Sequence, residues 1–120
     1  MLHINSTSFG SITINNKKYG QVLIVGKIVE ERDEKQLYKL FNTTHQIGDW
    51  EVEKLLSNQP EVIIIGSGQS GVLEVSPEVK GKLTTGEARL KILITPEAIA
   101  EFNKIYKEGK KVNALIHTTC

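Results

Sequence analysis

Hydrophobic and polar residues alternate with a period of two at positions 11–14, which is the pattern of a half-buried strand. Asn15 and Asn16 follow, and asparagine pairs that tolerate positive φ are typical of a tight turn. Residues 19–25 are rich in β-branched side chains and predict the returning strand, which positions 28–29 extend. The N-terminal part of the chain therefore predicts an antiparallel hairpin.

The next stretch is more polar and predicts helices. The run of charges at 30–35 is interpreted as a solvated edge or loop. Residues 36–46 predict only a short helical turn, because polar residues interrupt the helical spacing early. A longer helix is expected to begin at Asp49, which acts as its N-cap, and to stop before Pro60.

After Pro60 the pattern changes to strands that alternate with helices. The continuous apolar run at 61–65 predicts a strand that is buried on both faces. A glycine-rich loop at 66–71 follows, and residues 72–75 predict a short strand extension. The remaining predicted elements are a helix starting at Ser76 and Pro77, a buried strand at 89–94, a helix opened by Thr95 and Pro96, and a final strand at 111–118.

Strands joined by helices pair in parallel through right-handed crossovers. The expected fold class is therefore α/β, with a mixed sheet, a parallel βαβαβ C-terminal part and an antiparallel N-terminal hairpin. The length of 120 residues argues for a single domain over residues 1–120.

Composition narrows the function classes. The chain has 15 Lys and Arg against 14 Asp and Glu, and a net charge of +1 gives no broad electrostatic field for nucleic acid. A single cysteine excludes an internal disulfide. Apolar runs are far shorter than the ~20 residues that span a bilayer, and the N-terminus lacks a secretory pattern. The expectation is a soluble, cytoplasmic protein that binds neither membranes nor nucleic acid.

The carboxyl ends of parallel strands meet at one edge of a sheet, where ligands bind in open α/β folds. That edge should receive the glycine loop, the start of the helix at Thr95 and the end of the last strand. The predicted ligand-binding residues are Gly66, Ser67, Gly68, Gln69, Thr95 and His117, with Arg32 as charge partner. The spacing Gly66-x-Gly68-x-x-Gly71 matches the dinucleotide fingerprint, but a strand pattern follows it instead of the required helix. Two interpretations of this loop stay open: its amides cradle a small anion, or it is a purely structural turn.

Other chemistry has weak support in the residues. His3, His45 and His117 show no metal-ligand spacing, so no metal or cofactor is expected. Cys120 lies three positions after His117, and such residues point to opposite faces of a strand, which argues against a Cys–His nucleophile. We therefore predict no catalytic residue.

Several segments together resemble a known family. They are the strand and glycine loop at 61–71, the helix start Thr95-Pro96-Glu97-Ala98 with Asn103, the ending His117-Thr118-Thr119-Cys120, and residues 8–12 with Lys18-Tyr19. The chain resembles a small family of unknown function that includes the adipogenesis-associated protein and a mitochondrial respiratory complex I assembly factor.

The resemblance implies a three-layer β/β/α fold with a mixed central sheet and no accepted catalytic residues. The mitochondrial member works with protein partners. Family members usually carry an arginine close before a Gly-His pair. Here residues 33–44 separate Arg32 from His45, which relaxes any joint role of the two.

Two functional hypotheses follow. The first is a non-enzymatic interaction or assembly module, for which a protein partner or self-association is expected. Its candidate surfaces are the N-terminal hairpin edge and the side chains Tyr38, Leu40 and Phe41. The alternative is a small-ligand or anion-binding domain at the glycine-loop edge, with weak enzymatic activity left open. An open pocket at that edge favours the second hypothesis, and an edge filled by the chain itself favours the first.

Overall fold

The computed structural model describes residues 1–120, which form eight strands and four helices. The strands are β1 (Ile4–Ser8), β2 (Ser11–Ile14), β3 (Lys17–Tyr19), β4 (Val22–Val25), β5 (Ile28–Glu31), β6 (Val62–Ser67), β7 (Arg89–Leu93) and β8 (Val112–His117). The helices are α1 (Glu34–Phe41), α2 (Asp49–Leu56), α3 (Pro77–Leu83) and α4 (Thr95–Lys107). None of the helices combines the length and the apolar character that a membrane crossing requires.

The strands form two sheets. The N-terminal sheet is antiparallel in the order β1-β2-β3, and the larger sheet has the order β5-β4-β8-β6-β7. In the larger sheet β6 runs parallel to both β7 and β8, while β4 is antiparallel to β5 and β8. The predicted α/β class, with a parallel βαβαβ part and an antiparallel N-terminal hairpin, is confirmed.

Three layers arise because alternate residues of the central strands face opposite sides. On one face, Ile64 and Ala114 pack against α4 and the N-terminal sheet. On the other face, Ile63 and Leu115 pack against α2, α3 and the loop that carries Leu73. Helix α4 therefore shares its layer with the small sheet instead of joining the other helices.

Asn103 connects α4 to that small sheet. Its side-chain amide donates to the carbonyl oxygen of Ile4 at 2.9 Å and accepts from the amide of Ile4 at 2.9 Å. The side chain thus replaces a neighbouring strand along β1, which satisfies backbone groups that would otherwise be left without partners.

The N-terminal strands differ from expectation. The stretch predicted as one strand at 19–25 is divided at Gly20 and Gln21, so β3 and β4 belong to different sheets. Strand β1 was not predicted, because its sequence Ile-Asn-Ser-Thr-Ser contains a single buried apolar residue, Ile4. The predicted turn is present, with Asn15 and Asn16 at φ of 48° and 67°.

Four further expectations are wrong. Residues 72–75 form no strand, because Leu73 and Glu74 donate their amides to Ser67 and to the loop residue His45. Strand β7 is the sheet edge instead of a buried strand, and Ile92 is 37% exposed. The helical turn expected within 36–46 is the two-turn helix α1. Arg32 is buried rather than solvated.

The N-terminus of α2 is also corrected. The N-cap is Gly48 and not Asp49, which is the first helical residue. The carboxylate of Glu51 accepts from the amide of Gly48 at 3.0 Å, so the acid that stabilises the helix start is one turn inside. Glu51 itself is fully buried. At the next helix the prediction is confirmed, since Ser76 caps α3 and Pro77 opens it.

Candidate functional site

The carboxyl ends of β6 and β8 and the start of α4 lie together, as the topology requires. Thr95, the first residue of α4, is fully buried between the other two segments. Its hydroxyl accepts from the amide of Gly68 at 2.9 Å and donates to the carbonyl oxygen of His117. One threonine therefore joins the glycine loop, helix α4 and the end of β8.

The glycine loop wraps around residues 119–120. The amide of Gln69 donates to the carbonyl oxygen of Thr119 at 2.7 Å. The amides of Ser70 and Val72 donate to the carbonyl oxygen of Cys120 at 2.8 and 3.1 Å. The loop amides thus converge on oxygen atoms, as in an anion cradle, but the chain supplies those oxygens itself.

Gly68 is the position where this approach is tightest. Its φ is +107°, and a Cβ atom there would lie 2.3 Å from the carbonyl carbon of Cys120. A side chain is excluded both by the backbone conformation and by the space. Gly66 lies in β6 beside Ala98, and the hydroxyl of Ser67 donates to the carbonyl oxygen of Leu93 at 3.1 Å.

The side chain of Gln69 connects the glycine loop to the N-terminal sheet. Its Nε2 atom lies 3.0 Å from the hydroxyl of Thr7 and 3.1 Å from the carbonyl oxygen of Thr118. The predicted residues 66–69 therefore do lie beside Thr95 and His117, but their polar groups contact one another and neighbouring segments of the chain.

Arg32 lies at the centre of a buried polar cluster beneath this edge, on the α2 face of the sheet. Its five N–H groups have five acceptors. They are the two carboxylate oxygens of Glu51 at 2.7 and 2.9 Å, Oε1 of Gln21 at 2.8 Å, and the carbonyl oxygens of Thr44 at 3.0 Å and Gln46 at 2.7 Å. The Arg32 and Glu51 side chains are both fully buried. Such a bidentate pair holds a charge inside the protein only because every donor is matched.

His117 borders this cluster through Gln21 and Arg32. Since Oε1 of Gln21 can only accept, Nδ1 of His117 carries the proton and donates to it. The other ring nitrogen, Nε2, then accepts from the hydroxyl of Thr119 at 3.0 Å. Burial, together with the charge of Arg32 3.4 Å away and the nearby His45, lowers the pKa of His117 to about 4.

The imidazole of His117 is therefore neutral at pH 7 and fully engaged. His45 packs edge-on against it, with ring centroids 5.0 Å apart. The segment 33–44 does not keep Arg32 away from His45, contrary to the expectation, because Arg32 donates to the carbonyl oxygen of Thr44, the residue before His45. Both side chains reach the same cluster.

Sequence reasoning missed Gln21, Thr44 and Glu51. Gln21 stands opposite His117 in the continued register of β4 and β8, in which Val22 pairs with Ile116. That pairing becomes visible only once the antiparallel partner of β8 is known. A glutamate at the third position of a helix was the one local signal for Glu51.

The side chains at this edge form neither a metal-ligand cluster nor a Cys–His pair. No group of three or more His, Cys, Asp or Glu side chains is placed to hold a metal ion. Nε2 of His117 contacts Thr119 and not the thiol of Cys120. Every buried side-chain nitrogen and oxygen has a hydrogen-bond partner. The edge is thus a closed, internally satisfied structure.

Open space lies at the opposite end of the sheet. A cleft of about 1080 Å³ borders the starts of β6 and β7, and its charged residues are four acids and four bases. A second cleft of about 760 Å³ lies between the β4–β5 turn and the start of β8. Neither contains any of the predicted ligand-binding residues.

Comparison with known proteins agrees with the fold. A family model described as "Protein of unknown function (DUF498/DUF598)" matches residues 4–117. The conserved hypothetical protein PH1505 from Pyrococcus horikoshii OT3 is 27% identical, with a TM-score of 0.84 and 98% of each chain covered. A solved protein named MT938 is 31% identical, with a TM-score of 0.79 and 100% of each chain covered. A protein described as an outer membrane protein from Bartonella henselae is 18% identical, with a TM-score of 0.79 over 99% of this chain and 96% of that one, and this likeness concerns the fold alone.

Proposed function

The chain belongs to the DUF498/DUF598 family of proteins of unknown function, and we propose that it is a non-enzymatic interaction module that binds a partner protein through α1. The resemblance to a family with a mitochondrial assembly factor supports such a role. The partner is expected in the cytoplasm. The observation that carries the proposal is the exposed apolar surface of α1.

This surface consists of Tyr38, Leu40 and Phe41, which are 54%, 56% and 38% exposed. Leu37 is the only buried residue of the helix. By helical periodicity Tyr38 and Phe41 lie on one side of Leu37, and Leu40 lies on the other. The apolar stripe of α1 is therefore wider than the part that the rest of the chain covers.

Burying the rest of this stripe provides useful binding energy. Complete burial of a large apolar side chain is worth about 1.5–3 kcal/mol. Since roughly half of each side chain is still exposed, the three together would contribute about 3 kcal/mol on covering. Isolated exposed apolar residues are ordinary, but three on an eight-residue helix are typical of a contact surface.

The closed glycine-loop edge also favours an interaction module over a ligand-binding site at the loop. A ligand there would have to displace the carbonyl oxygens of Thr119 and Cys120 from the loop amides. The donors of Arg32 and the ring nitrogens of His117 are likewise engaged. The expected site residues therefore serve the stability of the edge.

Site-specific photo-crosslinking in cells tests the proposal. A benzoylphenylalanine at position 38 should give a discrete crosslinked protein, whereas the same group at the exposed Lys107 of α4 should not. With the crosslinked partner purified, Tyr38→Ser combined with Leu40→Ser should weaken binding by about 30-fold, because two of the three side chains contribute about 2 kcal/mol of the burial energy above. The matched control is Phe9→Ser, which removes an apolar residue that is 68% exposed on the N-terminal sheet. Equal crosslinking at 38 and 107, or unchanged binding of the double variant, would contradict the proposal.

The alternative is an anion-binding site at the glycine loop, formed by Gly66, Ser67, Gly68, Gln69, Thr95, His117 and Arg32. It is favoured by one feature, the convergence of the Gln69, Ser70 and Val72 amides on oxygen atoms. Native mass spectrometry of freshly purified protein distinguishes the two. A co-purified small anion that stays bound in the Tyr38→Ser and Leu40→Ser double variant would support the alternative.

A further inference from the structure

The cleft of about 760 Å³ at the amino end of the parallel strands is independent of α1 and of the glycine loop. It lies where the β4–β5 turn faces the connection between α4 and β8. Its volume falls within the range of about 300–1,000 Å³ that is usual for small-molecule sites.

The charged residues that line this cleft all have the same sign. They are Lys27, Lys110 and Lys111, and no carboxylate lines it. The ammonium groups of Lys27 and Lys111 have no ion-pair partner, and that of Lys110 lies 4.0 Å from Glu108. The chain as a whole is almost neutral, so three lysines around one cleft form a local excess of positive charge.

The rest of the lining combines apolar surface with a few hydrogen-bonding groups. Ile28 is 68% exposed at the start of β5, and Tyr106 is half-buried where its ring stacks on Phe102. The side-chain amide of Asn58 and the hydroxyl of Tyr106 make no hydrogen bond within the chain, and both residues line the cleft. An apolar wall beside several cations and free donors matches a ligand with an apolar body and one acidic head group.

We propose that this cleft binds a small amphipathic carboxylate, with its head group among Lys27, Lys110 and Lys111 and its apolar body against Ile28 and Tyr106. The ammonium groups attract the carboxylate, and the apolar wall discriminates against anions that have no apolar body. This end of the sheet is thus a binding site distinct from the α1 surface.

The test is a titration of the isotope-labelled full chain with octanoate, followed by amide NMR shifts. Saturable shifts should appear at Gly26, Lys27 and residues 106–112. Acetate, which has only the head group, and octanol, which has only the apolar body, should bind at least about tenfold more weakly. Raising the ionic strength should weaken octanoate binding and leave octanol unaffected.

Variants assign the contacts. Lys27→Ala and Lys111→Ala should each weaken octanoate binding by roughly three- to fivefold, and Ile28→Ser by a similar factor. Lys80→Ala, at an exposed lysine of α3 outside the cleft, is the matched control and should leave binding unchanged. The dispersed amide spectrum of each variant verifies its fold.

Three results of the titration would overturn the proposal. They are shifts that do not saturate, acetate shifts as large as those of octanoate, and octanoate shifts centred on α1. Co-sedimentation with anionic phospholipid vesicles in the absence of saturable octanoate binding would assign the lysines to a membrane surface instead and would also refute it.

Discussion

Glu51→Gln tests the buried ion pair most directly. The substitution keeps the size of the side chain and one carbonyl oxygen but removes the only negative charge in ion-pair contact with Arg32. Because both side chains are fully buried, the guanidinium is left in the interior without a counter-charge. Removing one partner of a buried pair costs about 3–5 kcal/mol. For a chain of this size, we expect Tm to fall by roughly 10–20 °C.

The assay is urea unfolding at pH 7 of four proteins that form a double-mutant cycle: wild type, Glu51→Gln, Arg32→Met and the double variant. Once Arg32 is replaced, Glu51 is the uncompensated charge, and its neutralisation should cost almost nothing or should stabilise the protein. We expect a coupling energy of at least about 2 kcal/mol. Glu101→Gln is the matched control, since Glu101 and Lys91 form a pair at 3.2 Å whose side chains are 25% and 28% exposed, and its loss should cost less than about 1 kcal/mol.

Two outcomes would refute this reasoning. A cost of less than about 1 kcal/mol for Glu51→Gln would mean that solvent reaches the pair and screens it. An equal cost in the presence and absence of Arg32 would mean that Glu51 acts only through its hydrogen bond to Gly48 at the start of α2.

Two further predictions concern the same edge of the sheet. Gly68→Ala should destabilise the protein by more than about 2 kcal/mol, because its Cβ would lie 2.3 Å from the carbonyl carbon of Cys120. The control Gly81→Ala, which has open space around it in α3, should be neutral or stabilising. Chemical unfolding compares the two variants, and equal stability would show that the close approach at Gly68 is unimportant. Stability should also fall as pH decreases from 6.5 towards 4, since the folded pKa of His117 is about 4 and the unfolded chain therefore binds its proton first. Unfolding at a series of pH values checks this, and a His117→Gln variant with the same pH dependence as wild type would exclude His117 as its source.

Much of the fold could be predicted because its signals are local. The apolar run at 61–65, the Ser76-Pro77 start and the Thr95-Pro96 start each report a structure within a few neighbouring residues. Parallel pairing follows from the order of these elements and the usual handedness of crossovers. The proximity of the glycine loop to Thr95 and His117 follows in turn from that pairing.

The parts that escaped prediction depend on distant partners. Strand β1 is held by Asn103 and by its register with β2, and its own sequence is mostly polar. The charged run containing Arg32 looks solvated because nothing local indicates that Glu51, 19 positions later, is its partner. Whether a polar edge is open or closed also depends on long-range contacts, here those of the glycine loop with residues 119–120.

The buried ion pair and the α1 surface are physically connected. Arg32 immediately precedes the N-cap of α1, and its side chain holds the carbonyl oxygens of Thr44 and Gln46, which follow the helix. The guanidinium of Arg32 therefore connects the two ends of the segment 33–44, which contains α1. Weakening these hydrogen bonds should change the positions of Tyr38 and Phe41 even where the sheet stays intact. We therefore expect Glu51→Gln, measured at a temperature where it is still folded, to weaken partner binding, and Glu101→Gln to leave it unchanged. If Glu51→Gln is destabilised but binds the partner normally, α1 is positioned by Leu37 alone, and the cluster contributes only to stability.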